Sequence, residues 1–239
     1  MSYNTFTPIV TDGLILSLDA ANTKSYSGTG TSWLDLTKNT TGGTLTNMGT
    51  TGFSSSNSGV IVFDGVNDFV LIPSKTVIDL NSSFSIEYWS KLNTSTFMAW
   101  VHVGIQTINN SFSIGQYSGP GSIITKFQKT TNDRAEFRFV STPQLNTWEH
   151  YVITYDGSGS GNGFNLYKNS SLNNKVGSVL VNTGTVSGIS INNLTYIGYS
   201  ASGTMGFLNG NISKLNIYNR VLLSSEVLQN YNATKWRFI

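Results

Sequence analysis

The sequence predicts an all-β protein, a two-sheet antiparallel sandwich with one short helix at its C-terminal end. Three observations carry that prediction. Short runs rich in β-branched and aromatic residues recur throughout the 239 residues, and such residues suit a pleated, half-buried surface. Several runs alternate apolar and polar positions with the period of two expected of a strand buried on one face. Between them lie turns of Gly, Asn, Asp and Ser, with 24 glycines in all, supplying the positive φ that hairpin turns need.

The most informative stretch is 60–72. Two nearly all-apolar runs flank Asp64-Gly65-Val66-Asn67-Asp68, so the segment reads as a β-hairpin or as two strands joined at a tight corner. Because these runs are apolar on both faces, they need cover on both sides. Upstream, residues 14–18 form a strand ending at Asp19, followed by a Gly/Ser/Thr loop at 22–32 and then Trp33-Leu34-Asp35-Leu36. Downstream, 83–92 puts Phe84, Ile86 and Tyr88 on one face and Glu87, Trp89 and Lys91 on the other. In 97–105, Phe97, Ala99, Val101, Val103 and Ile105 oppose Met98, Trp100 and His102. Further strands are predicted at 111–116, 123–127, 135–140, 148–155, 164–168, 179–182, 194–198 and 210–218. The helix follows, with Ser224 as its N-cap, Glu226 in its first turn and an apolar stripe of Val227, Leu228 and Tyr231.

Composition narrows the function classes. Charged residues are only 11%, against about 25% in ordinary domains. The 14 basic and 12 acidic side chains leave a net charge of +2, too balanced for a nucleic-acid or membrane-surface footprint. The absence of cysteine excludes disulfides and thiolate metal sites. The N-terminal residues do not read as a secretory signal, and no apolar run approaches the roughly 20 residues of a membrane helix. Without a compositional break, a single domain spanning 1–239 is expected, its leader (1–11) and helical tail (224–239) docking on the domain or on a partner.

Several landmarks then fall in a recognisable order. Asp12-Gly13-Leu14-Ile15-Leu16-Ser17-Leu18-Asp19-Ala20 precedes Trp33-Leu34-Asp35-Leu36, Phe63-Asp64-Gly65-Val66-Asn67-Asp68-Phe69-Val70 and Phe84-Ser85-Ile86-Glu87-Tyr88-Trp89. The run from Trp148 to Gly157, the run from Phe207 to Ile212 and the run from Ile217 to Val227 complete the series. Together they resemble the laminin G-like domains of the concanavalin A-like lectin/glucanase superfamily. The resemblance covers nearly the whole chain and rests on the number and order of motifs. Residues 228–235, with 18–26, look most like the variants found in bacteriophage structural proteins. The resemblance implies a jelly roll of two curved sheets, and a role in carbohydrate binding, adhesion or a virion appendage. Fold alone does not settle which.

Catalysis is not expected. A retaining glycosidase needs two carboxylates about 5 Å apart, which glucanase relatives carry as Glu-x-Asp-x-x-Glu on one strand; that pattern is absent. Glu87 is followed on its face by Trp89 and Lys91, and Glu136 lies between Arg134 and Arg138. His102 and His150 sit in apolar strands with no local acid partner. Calcium is the more reasonable ion, with Asp35, Asp64, Asn67 and Asp68 as candidate ligands, although turn capping by Asp64 and Asp68 is the competing explanation. For sugar binding the candidate aromatic plates are Trp33, Trp100 (beside His102 and Met98) and Trp236; packing is the alternative for each. Trp89 and Trp148 match structural positions of the family.

The resulting expectation is a non-enzymatic virion protein of a phage, a capsid decoration, fibre or tail component, made in the host cytoplasm. Its partners would be other virion proteins or further copies of the chain, with a cell-surface glycan as possible ligand, and neither nucleic acid nor membrane insertion. The alternative is a stand-alone, extracellular carbohydrate-binding lectin, and the third reading is a glycoside hydrolase.

Overall fold

A computed structural model of the chain describes residues 7–39, 42–73, 78, 82–104, 110–117, 122–129, 134–173, 179–182, 194–201 and 205–239. In chain order the strands are β1 (Leu14–Asp19), β2 (Ser32–Trp33), β3 (Gly43–Thr46), β4 (Phe53–Ser54), β5 (Val60–Asp64), β6 (Phe69–Ile72), β7 (Phe84–Leu92), β8 (Met98–Val103) and β9 (Ser111–Tyr117). They continue as β10 (Ser122–Gln128), β11 (Arg134–Val140), β12 (Trp148–Tyr155), β13 (Phe164–Lys168), β14 (Ser171–Asn173), β15 (Val179–Asn182), β16 (Thr195–Ile197) and β17 (Asn209–Tyr218). One helix, α1 (Ser224–Thr234), follows.

The strands form two antiparallel sheets, the sandwich that the sequence predicts. One runs β14-β13-β12-β7-β17-β5-β4, with β1 also on β17; the other runs β15-β11-β10-β9-β8-β16-β6-β3-β2. Alternation explains the core between them. Phe84, Ile86 and Tyr88 of β7 and Ala135, Phe137 and Phe139 of β11 all enter it, because every second side chain of a strand shares one face. The short strands β2, β3, β4 and β14 were not marked by the sequence pattern. Residue 105, expected at the end of the 97–105 strand, lies outside the described residues.

The stretch 60–72 is a corner and not a hairpin. β5 pairs with β17 and β4 in one sheet, whereas β6 pairs with β16 and β3 in the other. Ile61, Phe63, Val70 and Ile72 face the core. The outer face of β5 is covered by the C-terminal tail: Val60 and Val62 cluster with Trp89, Trp148, Tyr231 and Phe238.

Two irregularities set which side chains face outward. In β8 the register slips between Ala99 and Val101, and Met98, Trp100, Val101 and Val103 all pack inward. The expected opposition of Trp100 to Val101 is therefore broken by a bulge. In β17 the register slips between Ile212 and Lys214. Ile212, Leu215 and Ile217 face the core, and Lys214, Asn216 and Tyr218 are left on the outer face.

The tail docks on that outer face. Helix α1 starts one residue earlier than the sequence suggested, with Leu223 and not Ser224 at its N-cap. The Glu226 carboxylate accepts from the Leu223 amide (2.8 Å) and pairs with both Arg220 amino nitrogens (2.8 and 2.7 Å). Beyond the helix, Phe238 stacks on Trp89 with ring centroids 4.2 Å apart. The leader is held as well: Val10 donates its amide to Asn230 Oδ1 (2.8 Å), and Gln229 donates to the Pro8 carbonyl (2.8 Å).

Candidate functional site

Three of the four expected sugar contacts are core residues. Trp33 and Trp100 are completely buried, so neither offers a plate to a ligand. Trp100 packs against Tyr88 and Tyr151 and donates its indole N–H to Ser90 Oγ (3.0 Å). His102 is equally buried, with Nδ1 2.8 Å from Ser113 Oγ and 3.4 Å from Ser200 Oγ. Every residue of β8 is buried, so both of its faces are covered, and Trp33 of β2 enters the core.

The calcium candidates divide between two places. Asp35 Oδ1 accepts from the Ser17 and Thr37 amides (2.9 and 3.0 Å), and its Oδ2 accepts from the Thr37 hydroxyl (2.6 Å). Asp64, Asn67 and Asp68 share the corner turn. Asp64 Oδ1 there accepts from the amides of Val66 (2.7 Å) and Asn67 (3.3 Å), and Asp68 Oδ2 accepts from the Asp64 amide (3.0 Å). Burial pushes the Asp68 carboxyl up, partly opposed by that amide and reinforced by the neighbouring Asp64. Calcium takes six to eight oxygen ligands. Among the described residues no group of three or more acidic or imidazole side chains could hold a metal ion. Asp64 Oδ1 and Asp68 Oδ2 at the corner serve the turn.

Trp236 is different. It lies in a single turn of 3-10 helix, Lys235–Arg237, just past α1, and is 58% exposed. Its indole N–H donates to the Ala233 carbonyl (3.0 Å). Beside it opens a cavity of about 380 Å³ lined by Thr7, Ile9, Asp19, Lys214, Thr234 and Arg237 as well as Trp236. A second cavity, about 520 Å³, shares Ile9, Asp19 and Lys214 with it and extends past Asn22 to Thr37 and Asn39. A third, of about 360 Å³, joins Trp236 and Arg237 to Asp19 and Asn22. The three cavities, all of which Asp19 lines, together form the trough considered below, over β1 and the bulged part of β17.

The floor of the trough is cross-linked by ion pairs and hydrogen bonds. Asp19 and Lys214 are register partners across β1 and β17, with Nζ 3.4 Å from Oδ2. Arg237 reaches the same carboxylate, with Nη1 2.9 Å from Oδ1. The rest of the guanidinium is occupied by the Asn57 carbonyl (3.3 Å), the Gly59 carbonyl (3.3 Å) and Ser213 Oγ. Ser213 is the bulge residue, and it also donates to the Gly59 carbonyl (2.7 Å). Gly59 has φ 138°, and a Cβ there would lie 2.3 Å from the Ala20 carbonyl oxygen, so only glycine lets the chains approach this closely. The bulge thus turns Lys214 outward and supplies an anchor for the residue after Trp236. Asp19, Lys214 and Arg237 were not singled out in the sequence. The one legible signal was the spacing of Ile212, Leu215 and Ile217, which breaks the period of two and marks a bulge.

The buried carboxylates nearby are all engaged. Glu87, on the outer face of β7, lies 2.7 Å from His150 Nε2 and accepts from Asn216 (3.0 Å), Asn230 (2.8 Å) and Tyr218 (3.3 Å). His150 therefore does have an acid partner, brought from a different strand. Glu149 pairs with Lys168 (2.6 Å) and accepts from Tyr151 and from the Gln144 amide (3.1 Å). Glu136 is paired with Arg138 (3.1 Å).

An exposed indole beside amide, hydroxyl and charged groups can hold a saccharide: the ring meets its apolar face and the polar groups take its hydroxyls. Comparison with known proteins agrees with the fold on which this trough is built. A laminin G model of the concanavalin A-like lectin/glucanases superfamily matches residues 64–228. The chain belongs to that superfamily. Among solved structures it is similar to domain 4 of AbnA, a GH43 extracellular arabinanase from Geobacillus stearothermophilus, in complex with arabinotriose. That match has 18% identity and a TM-score of 0.65, covering 91% of this chain and 98% of that one. It is also similar to the ligand binding domain of botulinum neurotoxin serotype D in complex with N-acetylneuraminic acid, at 15% identity and a TM-score of 0.63 over 92% of this chain. A Trypanosoma rangeli sialidase in complex with the inhibitor DANA matches at 14% identity and a TM-score of 0.62, covering 99% of this chain. The chain spans 50% of the toxin domain and 36% of the sialidase. A search of curated proteins finds no match.

Proposed function

We propose that the protein is a non-catalytic carbohydrate-binding domain that seats a saccharide in the trough beside Trp236. The observation that carries this reading is the exposed indole of Trp236 beside a largely apolar cavity that also presents Asp19, Lys214 and Thr234. The similar folds described above, two of them in complex with a saccharide or sugar acid, support it. Engagement of Glu87, Glu136 and Glu149 by partners of their own supports binding without turnover. The domain is proposed to work as a part of a phage particle, on its capsid, fibre or tail, alongside other virion proteins or copies of itself. That attribution rests on residues 18–26 and 228–235, and the two stretches meet at the trough through Asp19, Asn22, Ala233 and Thr234.

The test is a printed glycan array followed by titration of the glycans bound. Trp236→Ala is expected to weaken binding on the order of tenfold, the loss of a large apolar contact, while Trp236→Phe retains most of it. Binding unchanged in Trp236→Ala, or no glycan bound at all, overturns the assignment. Steady release of reducing ends from a bound glycan overturns its non-catalytic part. Copurification with assembled particles is expected from the virion attribution, and recovery only in the soluble fraction counts against it.

A further inference from the structure

One cavity shares no lining residue with the trough. Its volume is about 390 Å³, within the roughly 300–1,000 Å³ of small-molecule sites, and it sits where both sheets end. β4 is the last strand of one sheet and β2 the last of the other, and each is two residues long. The connection from β3 to β4 crosses between the sheets here. The inner wall is therefore made of core: Tyr26 and Leu45 belong to the main apolar cluster, and Met48 and Phe53 pack against it. The Tyr26 and Phe53 rings lie with centroids 5.1 Å apart, tilted by 44°. The outer wall is loop, and much of it is glycine. A Cβ at Gly30 or Gly49 would meet no atom within 4 Å beyond its chain neighbours, so space that side chains could fill stays open. Hydrogen bonds tie both walls in place. The Tyr26 hydroxyl donates to the Gly30 carbonyl (2.8 Å), the Leu45 amide to the Thr31 carbonyl (2.7 Å) and the Val62 amide to the Gly52 carbonyl (3.1 Å).

We propose that this cavity is a second binding site, for a neutral and mainly apolar small molecule that carries a hydroxyl or carbonyl group. None of the described lining residues is Asp, Glu, Lys, Arg or His. A charged ligand would lose its hydration there with no opposite charge to meet it. The lining holds no side-chain amide either, so the many hydroxyls of a saccharide would be poorly served. What the cavity offers is two aromatic rings, Leu45 and Met48, with the hydroxyls of Thr29, Thr31 and Thr50 at the loops. Apolar walls with a few polar groups that fix orientation are what a small-molecule site needs. Met48 adds an unbranched thioether chain that adapts to the shape of an occupant. The site goes beyond the saccharide reading and does not depend on it.

The experiment titrates the whole chain with cyclohexanol and benzyl alcohol, and with cyclohexanecarboxylate and benzylammonium as charged analogues of similar shape, read by backbone amide chemical shifts. Saturable shifts are expected with the alcohols at residues 26–31 and 45–53, and the charged analogues should bind about tenfold more weakly or worse, because their charge goes unpaired. Gly49→Leu and Thr50→Trp place bulk at the loop wall, and each should weaken the alcohols about tenfold by occupying the space they need. The Gly49 backbone is not left-handed, so leucine is tolerated there, and thermal melts establish that both variants are folded. No saturable shift with either alcohol, shifts centred elsewhere, or undiminished binding in both variants overturns the site. Equal affinity for the charged analogues overturns its neutral character. Shifts at the same residues that follow protein concentration without any probe would mean that a second copy fills the cavity, and overturn the small-molecule assignment. Glycan binding at the trough is measured separately, so failure of one site is distinguishable from failure of the other.

Discussion

Glu87 shows how much of this protein hangs on single buried residues. Its carboxylate is on the outer face of β7, yet it is buried under α1 and the leader. Burial pushes its pKa up, but the hydrogen bond from His150, the charge there, the Asn216 amide and Lys214 together hold it below the usual carboxylate value. A lowered folded pKa contributes stability that is present above the unfolded value, about 4.3. That stability is lost as pH falls through the folded pKa. Wild type should therefore lose thermal stability on going from pH 6 to pH 3, and Glu87→Gln should show a visibly shallower loss. Parallel pH profiles would rule out Glu87 as a main acid-sensitive group. At pH 7 the same substitution is expected to cost about 3 kcal/mol in urea unfolding, because it breaks a buried charged network and strands its donors. At the same scale, Trp236 is the one of the four aromatic and imidazole candidates that is exposed, and Lys214 shares its strand partner Asp19 with Arg237.

At the scale of elements, the tail covers the outer face of the first sheet. Helix α1 and the turn after it cover Trp89 and Trp148, with the Trp89 indole donating to Thr234 Oγ1 (2.8 Å) and Trp148 donating to Asn57 (3.0 Å). The tail thus seals an apolar face and carries Trp236 to the trough in the same few residues. Phe238→Ala removes the ring stacked on Trp89 and should cost about 1–2 kcal/mol, less than a full core Phe→Ala because Phe238 is only partly buried. Intrinsic tryptophan emission should shift to the red as Trp89 and Trp148 meet water. An unshifted spectrum in a destabilised variant would mean that the tail seals those rings by other contacts. Glycan affinity should fall as well, since Arg237 and Trp236 are positioned by the same turn.

For the molecule as a whole, the corner between β5 and β6 joins the two sheets, and it leans on Gly65. Its φ is 81°, and a Cβ there would lie 2.8 Å from that of Asn209. Gly65→Ala is expected to destabilise by about 1–2 kcal/mol, combining the left-handed penalty with the close contact. Chemical denaturation measures this, and a neutral result would show that the corner can shift without disturbing either sheet. No helix among the described residues is long and apolar enough to cross a membrane.

Local pattern determined a good deal. Alternation in 83–92 and 135–140, the turn chemistry of Asp64–Asp68 and the Glu226 signal for a helix were readable, because each depends on residues a few positions apart. The sandwich class and the family order follow from them. Tertiary structure alone decided which aromatics are exposed: Trp33 follows a polar loop and is buried, while Trp236 lies in the tail and is exposed, and burial is set by what other elements bring to them. It also decided that 60–72 changes sheets, since hairpin and corner share the same turn residues. The trough belongs to this second group. Asp19, Lys214 and Arg237 are separated by up to 218 positions, and only the bulge in β17 and the docking of the tail bring one carboxylate against two cations beside the exposed Trp236.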